Sequence, residues 1–243
     1  MFVIAHISDI HLDGTERSTG RAARVMDHLR TLEEHLDVIL VTGDLADHGA
    51  EPEYEEVARI ATASVPVLLC PGNHDARPPY RKALLGEDPD DSPINRTYRI
   101  GGVTFLMADS SIPGRDPGLL DDPTLAWLDR ELASDDGPAF ICLHHPPVPL
   151  HMPFVDGIRL QRPDGLAAVV ERHPRVVAVL CGHAHTPAAT TFAGRPLLVA
   201  PGVASTVKLP WEPGPGLDRD LPPAIAFHLF DDGRLTTHFR LVA

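Results

Sequence analysis

The sequence predicts an α/β fold with two sheets stacked in layers, not one doubly wound sheet, and three observations carry that expectation. Apolar runs of strand length alternate with helical stripes through the first half of the chain, the pattern of α/β architecture. From Thr97 the pattern changes to hairpins, with Gly101-Gly102 between two short strands and further turns at Ala193-Gly194 and Asp232-Gly233. Five of the apolar runs also end in polar side chains of metal-binding types, and ligand groups in α/β sheets sit at the carboxyl ends of strands.

Taken in order, the first strand, Ile4 to Ser8, runs into Asp9-Ile10-His11. After a polar loop from Thr15 to Gly20, Thr19 caps a helix through about Glu34, with Ala23, Met26, Leu29 and Leu32 on one stripe. Val38 to Val41 reads as a strand buried on both faces. It ends in Thr42-Gly43-Asp44, where Gly43 permits a sharp turn and presents a carboxylate. A helix near Pro52 to Ala63 follows, with Pro52 in its first turn, and then Val67 to Cys70 leads into Pro71-Gly72-Asn73-His74-Asp75. Arg77 to Gly86 reads as a short helix and Glu87 to Pro93 as an acidic loop.

After the Gly101 hairpin, Asp121 or Asp122 caps a helix through about Leu132, with Leu125, Leu128 and Leu132 as its buried stripe. Ala139 to Leu143 leads into His144-His145-Pro146-Pro147. The Pro-rich segment from Pro146 to Pro163 carries His151, Met152, Phe154 and Arg159, and loops of that length beside a site are usually functional or mobile. A helix from about Pro163 to Arg172 precedes Val176 to Cys181, which leads into Gly182-His183-Ala184-His185. The end is β-rich, at Ala188–Phe192, Arg195–Ala200, Ala224–Phe230 and Leu235–Leu241, around a Pro/Gly loop from Leu209 to Pro223 that carries Trp211. With no repeat, low-complexity tract or linker, residues 1–243 read as a single domain.

The chain has 243 residues, 43% of them hydrophobic, enough for a full core without disulfide or metal staples. Its formal charge is -13, from 34 acidic against 21 basic residues, which argues against a nucleic-acid polymer as partner. A small anionic substrate is compatible with that charge if metal ions reverse the local sign. The three cysteines, Cys70, Cys142 and Cys181, form no CxxC motif and read as small buried core residues of a protein in a reducing compartment. The first residues, MFVIAHISD, lack the basic n-region of a signal peptide, and no stretch reaches membrane-spanning length, so a soluble, cytoplasmic protein is expected.

The five strand ends supply Asp9 and His11, Asp44, Asn73, His144, and His183 and His185. If Asp44 bridges, these seven residues make eight bonds, four to each of two metals. Asp9-x-His11 and His183-x-His185 are one-residue-skip pairs, whose side chains would project to the same side of an extended backbone. Imidazole and carboxylate donors without thiolate suit Mn, Fe, Co or Zn, whereas Ca prefers all-oxygen sites. Two divalent ions against Asp9 and Asp44 leave a cluster of about +2, able to hold a phosphate. Water between such ions loses a proton toward a pKa of about 7 and can attack phosphorus in line.

The motifs D-x-H, GD-x-x-D-x-G (Gly43, Asp44, Asp47, Gly49), GNHD and GH-x-H, in this order, resemble the calcineurin-like metallophosphoesterases. His144-His145-Pro146-Pro147, preceded by Trp127-Leu128-Asp129, is most similar to the bacterial class III cyclic nucleotide phosphodiesterases. The resemblance spans essentially the whole chain and implies a four-layer αββα sandwich with the metals between strand ends. It implies one metal on Asp9, His11, Asp44 and His185, and another on Asp44, Asn73, His144 and His183. It makes His74 the non-ligand histidine that contacts phosphate and protonates the leaving oxygen, and Asp47 the acid that orients it. The implied cofactors are two divalent ions (Mn, Fe or Zn), and the implied substrates are small phosphodiesters, with 3',5'-cyclic nucleotides such as cAMP first. Relatives with this ligand set also cleave glycerophosphodiesters, 2',3'-cyclic esters or monoesters. A non-catalytic scaffold that kept the fold would be expected to have lost His74 or several ligands.

Asp75 reads as a turn-stabilising acid, and His145 as either a substrate contact or a structural support. His6 reads as core, and His28, His35, His173, His228 and His238 as surface or packing residues. Arg77, Arg81, Arg159 and Lys208 read as solvated charges that could touch an anionic substrate. Oligomeric state is open, with the Gly101 hairpin and the C-terminal strands as the places for a homodimer contact.

Overall fold

The computed structural model describes residues 1–243. One sheet has five strands in the order Arg234–Leu241, Ala224–Asp231, Phe2–Ile7, Val38–Thr42 and Val67–Cys70. Its last three strands run parallel and the first two antiparallel. The other sheet has six, in the order Ala188–Phe192, Arg195–Val199, Val176–Cys181, Ala139–Cys142, Val103–Met107 and Arg96–Ile100, with a parallel centre and an antiparallel strand at each edge.

Side-chain alternation along these strands builds the layers. Ala5, Ile39 and Val41 pack outward with Val25, Leu29, Tyr54 and Val57 of the Glu16–Arg30 and Glu51–Ile60 helices. Ile4, Val38 and Leu40 point the other way and meet Phe105, Phe140 and Leu180 of the second sheet. Ile141 and Val179 of that sheet pack beneath Leu128, Leu166 and Val170 of the Asp122–Ala133 and Asp164–Arg172 helices. The result is the four-layer αββα sandwich, and it explains why Val38 to Val41 is apolar throughout, being buried on both faces. Parallel register sets the strand ends level: Ile7 lies beside Val41, and Thr42 beside Cys70. Cys142 lies beside both Met107 and Leu180.

Several elements depart from the sequence expectation. The first helix starts at Glu16, a turn early, because Thr15 is its cap and accepts a hydrogen bond from the Ser18 amide, while Asp13 takes hydrogen bonds from Thr15 and Ser18. Arg77–Tyr80 is α-helical and continues as a π-helical turn over Arg81–Leu85. The Pro146–Pro163 segment is built around the Pro153–Gly157 helix and a Leu160–Gln161 strand that pairs with Gly118–Leu119. Arg77 and Arg81 are buried and not solvated. Arg77 Nε donates to Asp109 Oδ2 at 2.8 Å and its Nη2 to the Ser111 carbonyl, which ties the exit of Val67–Cys70 to the neighbouring sheet. His228 is fully buried because register places it opposite Ile4, on the face between the sheets, where His6 also lies. All three cysteines are free and buried, as expected of core residues. No helix is long and apolar enough to cross a membrane.

Candidate metal centre

The level strand ends bring all seven predicted ligands to one rim, four from the first sheet and His144, His183 and His185 from the second. The turns that deliver them are not extended. Asp9, His11, Asp44, His183 and His185 have φ of 55, 41, 51, 70 and 52°, in the left-handed region that costs a side-chain-bearing residue roughly 1–3 kcal/mol. The two skip pairs therefore converge by local kinks and not by strand alternation. Gly43 sits at φ 91°, and an added Cβ there would meet the His144 ring.

Oxygen and nitrogen donors then face one another at short range. His11 Nε2 lies 3.1 Å from His185 Nε2 and 3.5 Å from Asp44 Oδ2, and His185 Nε2 lies 3.5 Å from Asp9 Oδ1. His144 Nε2 lies 3.3 Å from Asp44 Oδ2, 3.1 Å from Asn73 Oδ1 and 3.1 Å from His183 Nδ1. Outer partners select the tautomers: His11 Nδ1–H donates to Asp47 Oδ1 at 2.8 Å and His144 Nδ1–H to the Thr42 carbonyl at 2.7 Å. His185 Nδ1 is hydrogen-bonded to Ser205 Oγ at 2.9 Å. A ring whose Nδ1–H is committed in this way aims its Nε2 lone pair inward, the state that binds cations. The buried Nε2 of His183 has no hydrogen-bond partner. Lone pairs of neighbouring imidazoles at 3.1 Å repel unless a proton or a cation lies between them, so this donor set fits divalent metals.

Charge points the same way. Burial depresses the His144 imidazole, but the charge of Asp44, its hydrogen bond and the charge of Asp9 outweigh that and lift it to about 9. For His11, burial is likewise outweighed, by the Asp47 hydrogen bond and the charges of Asp44 and Asp9, and the ring is raised. Burial opposes ionisation of Asp44, but the neighbouring imidazoles, His144 first, hold it well below the usual carboxylate range. A metal entering would displace protons from these rings, which makes uptake pH-dependent.

The residues around the cluster sort by the atoms they offer. His145 lies close to His144 and His183, yet it has no lone pair to give: its Nδ1 accepts from Ser110 Oγ and its Nε2–H donates to the Asp116 carbonyl. It is a structural support, held neutral by burial and by the charge of His144, which pull it down to about 3. Asp75 stabilises the turn as expected, accepting from the amides of Leu45, Ala46 and Gly72 and from Tyr54 Oη. His74 stands half exposed at the mouth, and its Nδ1–H donates to the backbone carbonyl of Asp47 at 2.8 Å. The Asp47 carboxylate is 3.7 Å from that nitrogen and bonds His11 instead, so the expected pairing runs through Asp47's main chain. Sequence reasoning did not find Ser205, Thr42 and Ser110 as partners of the histidine rings, since no spacing marks a lone hydroxyl or carbonyl. Arg159 and Lys208 stay off the cluster, with Lys208 Nζ paired to Asp218.

The family profile described as calcineurin-like phosphoesterase matches residues 2–187. The chain belongs to that family. Among curated members, it is 35% identical over 233 residues to the cAMP/cGMP dual specificity phosphodiesterase of Mycobacterium tuberculosis, covering 90% of this chain and 73% of that one. To the glycerophosphodiester phosphodiesterase of Enterobacter lignolyticus it is 33% identical, covering 84% and 78%. A dimetal phosphatase from Danio rerio superposes with a TM-score of 0.74 at 17% identity, over 100% of this chain and 96% of the other, a likeness of fold. This calcineurin-like phosphoesterase carries its donor cluster at the floor of a cleft of about 390 Å³, with His74 and Asn73 on its wall.

Proposed function

We propose that the chain is a dinuclear phosphodiesterase acting on small phosphodiesters, 3',5'-cyclic nucleotides such as cAMP foremost. The observation that carries this reading is the convergence of the seven donors, with imidazole nitrogens only 3.1 Å apart at both His11–His185 and His144–His183. In this reading Asp9, His11, Asp44 and His185 hold one ion, and Asp44, Asn73, His144 and His183 the other. Two divalent ions (Mn, Fe or Zn) would supply a nucleophile at neutral pH and neutralise the phosphoryl oxygens.

The remaining work falls to side chains of the cleft. His74 is bonded through Nδ1–H to the Asp47 carbonyl, so a second proton, on Nε2, makes it an imidazolium. That Nε2 proton is the one delivered to the leaving oxygen, and the ring ends neutral. Asp47 fixes the His74 ring through its main chain and the His11 ring through its carboxylate. The relatives' names support diesters as the substrate class.

The test is turnover by Mn-reconstituted protein of bis(p-nitrophenyl) phosphate, p-nitrophenyl phosphate and 3',5'-cAMP. Diesters are expected to be cleaved in preference to the monoester. His74→Ala should lower kcat about 10²- to 10⁴-fold with metal content unchanged, and Asp44→Asn should lose metal as well as activity. Monoester turnover exceeding diester turnover by orders of magnitude would replace the reading with a phosphomonoesterase. Two bound metals with no turnover of any ester would leave a scaffold.

A further inference from the structure

The floor of the cleft accounts for a phosphate but not for what is attached to it. The cleft's apolar side chains all come from two segments: Phe154, Val155 and Ile158 from one, and Ala204, Val207 and Leu217 from the other. Phe154, Val155, Val207 and Leu217 also line a second, largely apolar hollow of about 470 Å³ that adjoins the cleft. These four side chains thus form a ridge, with the catalytic cleft on one flank and the hollow on the other.

Phe154 is the only aromatic ring on that ridge apart from the histidines of the floor, and it is 76% exposed. A single exposed phenylalanine needs no explanation. This one is held out by construction. Its neighbours Met152 and Val155 are buried in the second sheet's core. The Asp156 carboxylate accepts from the amides of Leu150 and Met152 at 2.6 and 3.1 Å, and the Leu160 amide donates to the Pro146 carbonyl. Leu217, 41% exposed, sits in a strand pair with Thr206–Val207. Because the ridge lines the same cleft as the donor cluster, a group attached to a phosphate held at the floor is within reach of it. A planar, weakly polar ring meets a phenyl face best, and such stacking tolerates any base.

We propose that Phe154, backed by Val155, Val207 and Leu217, is the platform on which the base of a nucleotide substrate stacks, making it a specificity-determining residue. The proposal rests on the phosphodiesterase reading for its choice of nucleotides, and its test is separable from that reading. Metal-loaded wild type, Phe154→Ala and Phe154→Trp are compared for equilibrium binding of adenosine 5'-monophosphate and of ribose 5-phosphate, which lacks the base. They are also compared for kcat and KM on 3',5'-cAMP and on glycerophosphoglycerol, a diester with neither ring nor cation.

Phe154→Ala is expected to weaken adenosine 5'-monophosphate binding by about 5- to 100-fold. The cAMP KM should rise to match at nearly constant kcat, while ribose 5-phosphate and glycerophosphoglycerol are unaffected. Phe154→Trp is expected to restore binding. If both binding ligands weaken equally, if neither changes, or if wild type does not bind adenosine 5'-monophosphate, the platform is overturned. If wild type cleaves no diester yet base-dependent binding vanishes in Phe154→Ala, the platform stands and the phosphodiesterase reading falls.

Discussion

At the scale of the residue, Asp47 shows how one acid serves two rings by different atoms. Its carboxylate takes the His11 Nδ1–H while its carbonyl takes the His74 Nδ1–H. Removing the carboxylate therefore touches the proposed metal ligand, His11, and spares the hydrogen bond of the proposed proton donor, His74. Asp47→Ala is expected to weaken metal affinity by about 10- to 100-fold, with kcat recovered at saturating Mn. Metal titration of activity checks this, and a kcat that stays low at saturating metal would mean that the carboxylate acts on His74. Which residues would gather was legible in the sequence, because Asp, His and Asn at strand ends have few other reasons to recur. Which atom each would use was not, because tautomers are chosen by distant oxygens such as the Thr42 carbonyl and Ser205 Oγ. Arg77 was misread for a related reason. A guanidinium reads as solvated until its buried partner, Asp109, is brought from another sheet.

At the scale of the element, the site depends on strand ends that turn abruptly and pack without a gap. A Cβ added at Gly72 would collide with both the Asp44 carboxylate and its amide. Gly72→Ala should therefore push apart the two turns that carry Asp44 and Asn73, destabilising the protein by about 1–3 kcal/mol and depleting bound metal. Gly20, in the middle of the first helix, has nothing within 4 Å of such a Cβ. Gly20→Ala should raise stability by about 0.5–1 kcal/mol. Thermal or urea unfolding of the two variants, measured side by side, checks the opposite signs. Strand positions were readable because runs such as Val38–Val41 have few alternatives when both faces are buried. Helix starts were less so: Thr15 and Thr19 are equally good caps by type, and the choice falls to Thr15 through the Asp13 and Ser18 network.

At the scale of the whole molecule, the largely apolar face between the sheets holds a buried pair of histidines. His6 Nδ1 and His228 Nε2 are 3.0 Å apart, with Thr42 and Thr237 hydroxyls at the outer ends. Burial holds both rings neutral, His228 down to about 3 and His6 well below its ordinary value. Unfolding lets both take protons near pH 6.5. Their contribution is thus intact above about pH 6.5 and is lost as the pH falls. Between pH 7 and 5.5 the metal-free protein should lose about 2.5 kcal/mol more stability than a His6→Leu/His228→Leu variant. Urea denaturation in chelator checks this, and equal losses would mean that the pair is protonated in the fold. The layered architecture was legible from strand and hairpin patterning. This pair was only half legible: His6 read as core, but His228 could be told from a surface histidine only once register set it opposite Ile4.

The division of the donor set between the two sheets has a consequence for biosynthesis. A nascent chain that has emerged only through the Val67–Cys70 strand and its turn offers Asp9, His11, Asp44 and Asn73, three oxygen side chains and one imidazole. His144, His183 and His185 are made later, and they reach the rim only after the second sheet has formed and docked. Under the proposed ligand set, the ribosome cannot hand over a loaded enzyme until residue 185 has cleared the exit tunnel. The ion acquired is then chosen by the finished fold from whatever the surrounding metal pool contains at that moment.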